Sequence, residues 1–480
     1  MHPIILAQHE EVEMTTLSDG RVPGSPKLDA AESSSAVATL RDLLKLNTAF
    51  FLLGLENNAL YVVILSAAQD LLPTDVPTGL ILFANIAPAL LIKVGWPYLV
   101  PGRVRYSRRV ASCSLISFIG IIVVALFDSL DMRLLGIALA SLSSGLGEMT
   151  YLQLSTAYGR DELGSQAVGW FASGTGAAGL VGALLWWLLR GLGIKLGLSI
   201  TSLIPLGMAL TFFVLLPQPH LFASHTSSQT TAYTSIPTAD EDLQTLQAES
   251  MPVYSTLAGK RVVLSLSQKL ALARPLVLPY MIPLFVVYLA EYTINQGVAP
   301  TLLYPVPTAQ QSWIWSHIIH HLSDYYPLWQ LVYQTFVFFS RSSISIFRIP
   351  PLPKRLIPLP SLAQVALLGI ALLESTRGIL TSTFGRHART SVVAVVALEG
   401  LSGGLAYVNV FHRLGLEEAE NSSGVAVSPE SRIAQREFSI ACVGFADTSG
   451  ILAASLLSAW LQPRLCAYQV EHGRTLCREL

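Results

Sequence analysis

Apolar runs about as long as a membrane is thick recur along nearly the whole chain. A helix needs about 20 largely apolar residues to cross the hydrocarbon core. Inside lipid the backbone must satisfy its own hydrogen bonds, which a helix does. Eleven candidate spans meet this description: 46–68, 79–99, 110–128, 133–157, 167–189, 196–216, 275–299, 325–341, 356–374, 390–411 and 438–461. The eighth is short and Tyr-rich. The fold class expected is therefore an all-α polytopic membrane protein. Only 13% of the residues are charged, against about 25% in soluble domains. The net charge of −1 gives no field that would gather nucleic acid.

Polar stretches divide the spans. Residues 1–40 read as a disordered cytosolic tail and 217–272 as a flexible polar linker. They leave a six-helix half (41–216), a five-helix half (273–462) and a C-terminal tail (463–480). Basic residues orient the spans. With a cytosolic N-terminus, 20 of the 30 Lys and Arg residues fall on the cytosolic side and nine opposite, Lys93 lying within a span. Residues 1–40 and 217–272 are then cytosolic segments on which protein partners can dock.

The two halves echo each other. Phe171-Ala172-Ser173-Gly174-Thr175-Gly176 in the fifth span matches Phe445-Ala446-Asp447-Thr448-Ser449-Gly450 in the eleventh, and each has a Trp fifteen residues after its Phe. Gly147 and Tyr151 in the fourth span match Gly403 and Tyr407 in the tenth. The first and seventh spans each set a Glu beside amides: Glu56 with Asn57 and Asn58, Glu291 with Asn295 and Gln296. The order is that of a six-plus-six parallel repeat, as in major-facilitator transporters, whose substrate site lies between the halves near mid-membrane.

Function is sought in buried polar groups. An acid at a span centre costs about 2.5–3.5 kcal/mol on the insertion scale. Glu56, Glu148, Glu291, Glu399 and Asp447 therefore each need a partner, a hydrated cavity or a proton. A carboxyl shielded from water is suited to bind and release a proton. The structural alternative is a hydrogen bond to a neighbouring helix, and it weighs most for Glu399, beside Gly400. Lys93, near a span end, reads as snorkelling to the interface. Gly174, Gly176, Gly179 and Gly182 read as a helix-packing surface. The loop residues His317, His320 and His321 read as chance clustering rather than an acid sensor. The sequon Asn421-Ser422-Ser423 falls on the cytosolic side and is expected to be unused. Cys113, Cys442, Cys466 and Cys477 show neither a CxxC pair nor metal-ligand spacing, so neither a disulfide framework nor a metal site is expected. No nucleophile elbow, P-loop or HExxH is present. An enzyme is not expected, and no cofactor is implied.

Several long blocks resemble the battenin family of lysosomal and vacuolar membrane proteins. They are FLLGLENNALYVVILSAAQDLL (51–72), ILFANIAPALLIK (81–93), SLSSGLGEMTYLQL (141–154), WFASGTGAAGLVGAL (170–184), IPLFVVYLAEYTINQG (282–297), FFSRSS (338–343), LEGLSGGLAYVNVFH (398–412) and REFSIACVGFADTSGI (436–451). The resemblance implies a major-facilitator-like fold in the vacuolar or lysosomal membrane. It implies roles in vacuolar pH homeostasis, basic amino-acid transport or clearance of glycerophosphodiesters. Its motifs fall on Glu291, Asn295, Arg341, Glu148, Tyr407, Asn409 and Asp447. Some family members end in a prenylation box, but the ending Cys477-Arg478-Glu479-Leu480 lacks the usual aliphatic pair.

The candidate solute or proton path takes Glu56, Asn57, Asn58, Glu148, Tyr151, Ser173 and Thr175 from the first half. From the second it takes Glu291, Asn295, Gln296, Tyr407, Asn409, His412 and Asp447. Arg108, Arg109 and Arg341 are expected at a cytosolic gate or basic loop. Two functions compete: a proton-coupled transporter of a small polar solute, and a non-transporting scaffold that regulates trafficking and acidification. Span interiors hold few cations, so a basic amino acid suits the acids better than a phosphodiester does.

Overall fold

The computed structural model describes residues 26–73, 76–99, 105–158, 163–219, 222, 265–344, 347–422 and 429–479. Among them all regular structure is helical. Eleven principal helical stretches coincide with the eleven expected runs. They are α1 (Pro26–Ser66), α2 (Gly79–Leu99), α3 (Tyr106–Leu126), α4 (Leu130–Ser155), α5 (Leu163–Leu189) and α6 (Ile194–Leu215). The second set is α7 (Ser267–Thr301), α8 (Tyr325–Arg341), α9 (Leu359–Arg377), α10 (Ala388–Ser422) and α11 (Pro429–Glu471). Helix α1 already begins inside the segment expected as a tail. Residues 1–25 and most of the expected linker, 223–264, lie outside the described residues, as does Ser423 of the sequon.

Eight of these stretches are long and apolar enough to cross a membrane; α2, α4 and α8 fall short on that measure. Two of the three have a packing reason. Much of α8 is covered by other helices, including Tyr325, Tyr326, Trp329, Gln330, Tyr333 and Gln334. In α4 the buried positions include Ser141, Ser143, Gly145, Gly147 and Thr150. A helix surrounded by protein needs less apolar surface than one facing lipid. Helix α6 shows the opposite case, with Leu196, Leu203, Leu210, Phe213 and Val214 all exposed.

Local breaks shape α7. It carries Pro275 and Pro283 and is interrupted by π turns at Val277–Met281 and Ile294–Val298. Such turns often mark functional sites, and the second one holds Asn295 and Gln296.

The glycine stripe packs helices together, as read. A side chain at Gly54 would strike the Phe171 carbonyl of α5, and one at Gly174 would strike the Phe51 carbonyl of α1. Gly182 lies against Ala59 and Val62 of α1, while Gly176 and Gly179 face Arg341 and Gln334 of α8. The two sets of helices meet through α5 against α8 and α2 against α11. The repeat relates α5 to α11 and α8 to α2, so one contact maps onto the other, as a two-half repeat requires. An apolar core joins the sets where α1 finishes, with Ile64, Leu65, Leu71 and Ile81 beside Val298, Tyr325, Tyr326 and Trp329. We call this the far end.

One cysteine expectation fails. Cys466 and Cys477 form a disulfide, while Cys113 and Cys442 are free. The chain turns back after α11 at Gly473, whose φ is +78°, and brings Cys477 alongside the last turns of that helix. Linear spacing does not reveal such a turn. Arg474 then donates to the carbonyls of Glu374, Ser375 and Thr376, capping the last turn of α9. Gln469 bonds the Thr301 and Ser375 carbonyls at 3.1 and 2.7 Å. A thiol reagent should therefore modify two cysteines in the unfolded, unreduced protein and four after reduction. Four without reduction would remove the clasp.

Candidate functional site

The second half buries a connected polar group among α7, α8 and α10. Glu291 is 1% exposed and accepts a hydrogen bond from the Tyr333 hydroxyl. Gly403 of α10 leaves it room, because a side chain there would overlap the Glu291 carboxylate. Asn295, one turn on, donates to the Glu399 carboxylate at 2.9 Å and accepts from Gln330 at 3.0 Å. The Glu291 and Glu399 carboxyls interact electrostatically. Tyr333 and Gln330 were missed in the sequence, since the Tyr-rich eighth span marks neither one.

The repeat corrects one pairing. Gly147, the counterpart of Gly403, leaves room for Asn57 and not for Glu56. Asn57 donates to the Ser144 carbonyl at 3.1 Å. It is thus Asn57 that occupies the position of Glu291. Glu56, turned about 100° round the helix, faces α6, where Thr211 donates to it at 3.2 Å and Gly207 makes space.

A charged group lies between the halves. Lys93 of α2 pairs with Glu148 of α4 at 2.8 Å, their side chains 28% and 33% exposed. Asp447 of α11 is close enough to both to act on them electrostatically. Lys93, expected to snorkel to the interface, here pairs with Glu148, and Asp447 acts on it electrostatically. Opposite stands Arg341, stacked 4.3 Å over the Tyr407 ring and donating to the Tyr288 hydroxyl at 3.0 Å. Tyr407 lies in the field of Arg341, Asp447 and Glu148 together, which makes the two groups neighbours. The expectation of few interior cations also changes, since Lys93 and Arg341 both occupy this region.

Other expected residues are held elsewhere. Tyr151 is fully buried within the first half, its ring 6.0 Å from that of Phe171. Ser173 and Thr175 bond carbonyls of their own helix at 3.0 and 2.7 Å, and Asn58 does the same with Gly54. Asn409 anchors the loop after α8 by accepting from the Leu352 amide at 2.6 Å, while Arg413, next to His412, binds the Leu352 carbonyl. Arg108 is exposed, and Arg109 ties α3 to Gln153 of α4 at 3.1 Å.

Polar bonds across the halves gather at the far end. Arg190 bridges Asp324 at 2.7 Å and Asp70 at 3.5 Å, and the Trp186 ring donates to Asp70 at 2.9 Å. Thr78 donates to the Gln296 carbonyl at 2.6 Å and to Gln462 at 2.7 Å. Tyr326 reaches the Leu65 carbonyl at 3.0 Å. The far end is latched.

Two helical halves, with buried ionisable groups between them, define a membrane protein of the major-facilitator-like class. Solved structures of that fold cover most of the chain. A POT family transporter in complex with a thioalcohol-conjugated peptide is 12% identical, with a TM-score of 0.50, covering 90% of this chain and 92% of its own. A peptide transporter POT in complex with alafosfalin is 14% identical, with a TM-score of 0.50, covering 90% and 91%. At this identity the likeness concerns the fold alone. The family model for the CLN3 protein matches residues 48–468. Protein BTN1 of Mycosarcoma maydis is 46% identical over 486 residues, covering 91% of this chain and 89% of the relative. Protein btn1 of Schizosaccharomyces pombe is 36% identical over 436 residues, covering 90% and 97%. The chain belongs to the CLN3, or battenin, family.

Proposed function

We propose that this protein is a proton-coupled transporter of a small polar solute in the vacuolar or lysosomal membrane, and that it contributes there to pH homeostasis. The observation that carries this reading is the placement of Glu291, Arg341, Lys93, Glu148 and Asp447. Ionisable groups are too costly to keep inside a membrane fold without a pathway to serve, and these lie at or beside the seam of two halves latched at one end. The scaffold alternative rests on segments 1–40 and 217–272, and gives the interior charges no task. The disulfide supports the orientation, because such bonds persist in oxidising compartments. On this reading the C-terminal clasp and the far end lie in the lumen, and eleven crossings put the N-terminus in the cytosol. Cys477, held by Cys466, has no thiol to prenylate. The test is uptake by liposomes containing only this protein, with and without a pH gradient. Absence of uptake across a panel of basic amino acids and glycerophosphodiesters would favour the scaffold.

The latch gives a second expectation. Arg190→Gln should open the luminal side, raising several-fold the labelling of Ser66→Cys by an impermeant maleimide from that side. Burial pushes the Asp70 carboxyl up, against the lowering by Arg190. The closed form thus takes up a proton more readily than a hydrated open form, and through Asp70 acid favours closure. Labelling of the Arg190-intact protein should fall as luminal pH drops. A rise on acidification would reject this role for Asp70.

A further inference from the structure

The two cations between the halves are not equivalent. Lys93 has a carboxylate at 2.8 Å. Among the described residues no carboxylate lies within ion-pair distance of Arg341. Its guanidinium makes one hydrogen bond, from Nη2 to the Tyr288 hydroxyl, while Nε is buried without a partner. Buried donors are nearly always satisfied, so Nε lacks an expected partner, while Arg341 as a whole is half-buried.

The surroundings hold this fork in place. The Tyr407 ring covers one face at 4.3 Å. A side chain starting at Gly176, on α5 of the other half, would come within 3.6 Å of the Arg341 Cβ and Cδ. A longer side chain there would press on the arginine stem. Glu291 acts on Arg341 electrostatically but outside ion-pair distance, and its Oε1 accepts from Tyr333 while its Oε2 has no partner.

We infer that Arg341 is the anchor for an oxyanion, a carboxylate or phosphate, carried by the transported solute; this rests on the transporter reading above. A guanidinium presents parallel donors that match two oxygens of such a group. A neutral or purely cationic solute would leave the charge as it stands. Tyr407 lies within electrostatic reach of Glu148 and Asp447 as well as Arg341, so the group of Lys93, Glu148 and Asp447, which carries both signs, is assigned the remainder of the solute. Glycerophosphodiesters and amino acids both carry the required oxyanion, and the experiment separates them.

The test is equilibrium binding by the purified full-length protein, read as thermal stabilisation with glycerophosphoglycerol, arginine, inorganic phosphate and uncharged glycerol. One oxyanion probe should bind saturably and glycerol should not. Which probe binds identifies a phosphodiester or a carboxylate as the source. Arg341→Gln should weaken that binding at least about thirtyfold, the loss expected when one partner of a buried charge pair is removed. Arg341→Lys should recover only part of it, because a point charge lacks the fork. Should Arg341→Gln fail to fold, Gly176→Leu fills the socket from the other half without touching the charge, and it should weaken binding similarly. Unchanged affinity in a folded Arg341→Gln, equal binding of glycerol, or no binding of any oxyanion probe overturns the anchor. Binding without transport in liposomes would instead sink the transporter reading and leave the anchor. Transport by Arg341→Gln with unchanged KM would do the reverse.

Discussion

Replacing Glu291 with Gln should abolish uphill, proton-driven accumulation and leave the fold and downhill exchange intact. The side chain is 1% exposed and sits over Gly403, so a change in volume there would be felt. Gln keeps the volume and can still accept the bond from Tyr333 through its amide oxygen. What it loses is the ability to take up and release a proton. For one proton per solute, a gradient of one pH unit sustains about tenfold accumulation. The variant should bring the solute only to equal concentrations, while exchanging labelled for unlabelled solute at a rate near wild type. Glu399→Gln should alter the pH profile, because the two carboxyls interact electrostatically and their ionisations are linked. The result that sinks the assignment is tenfold accumulation by a folded Glu291→Gln protein.

The fold was legible because lipid makes one demand on every span, and apolar length answers it. Runs 46–68 to 438–461 all became helices, even the short eighth, whose tyrosines and tryptophan are covered by neighbouring helices. The site was legible by residue type more than by partner. Glu291, Asn295, Glu148 and Asp447 stood out because an acid or amide in an apolar run needs a reason. Which groups they meet depends on tertiary packing. Lys93 looked like a span-end lysine because Glu148 and Asp447 are distant in sequence. Glu56 and Asn57 are neighbours in sequence but point to different sides of α1. Position alone could not choose between them, whereas Gly147 matched to Gly403 could have, since a glycine marks where a side chain from the facing helix must fit. Asn409 and Tyr407 show the same limit: two residues apart on α10, one holds a loop and the other holds Arg341.

Lys93 is the second place where a single change should have a large effect, and its outcome can be reversed by another. The triad holds one positive and two negative groups, with Glu148 in direct contact and Asp447 acting across the seam between the halves. Lys93→Gln leaves two like charges facing each other with no cation between them. In a partly dry site one of them must then protonate or draw in water. Removing one partner of a fully buried pair costs about 3–5 kcal/mol. Here the side chains keep about a third of their exposure, so a loss on the order of 1–3 kcal/mol is expected after solvent screening. Transport should fall at least about tenfold, because the state in which α2 and α11 approach is the one that brings the carboxylates together. Asp447→Asn alone leaves a balanced Lys93–Glu148 pair, so it should lower stability little and shift the pH profile of transport. The double variant Lys93→Gln, Asp447→Asn removes the repulsion and should be more stable than Lys93→Gln alone, a non-additivity expected only of groups that interact. If the two substitutions instead add in both melting temperature and transport rate, Asp447 does not share Lys93 with Glu148, and the charged seam between the halves is two unrelated features.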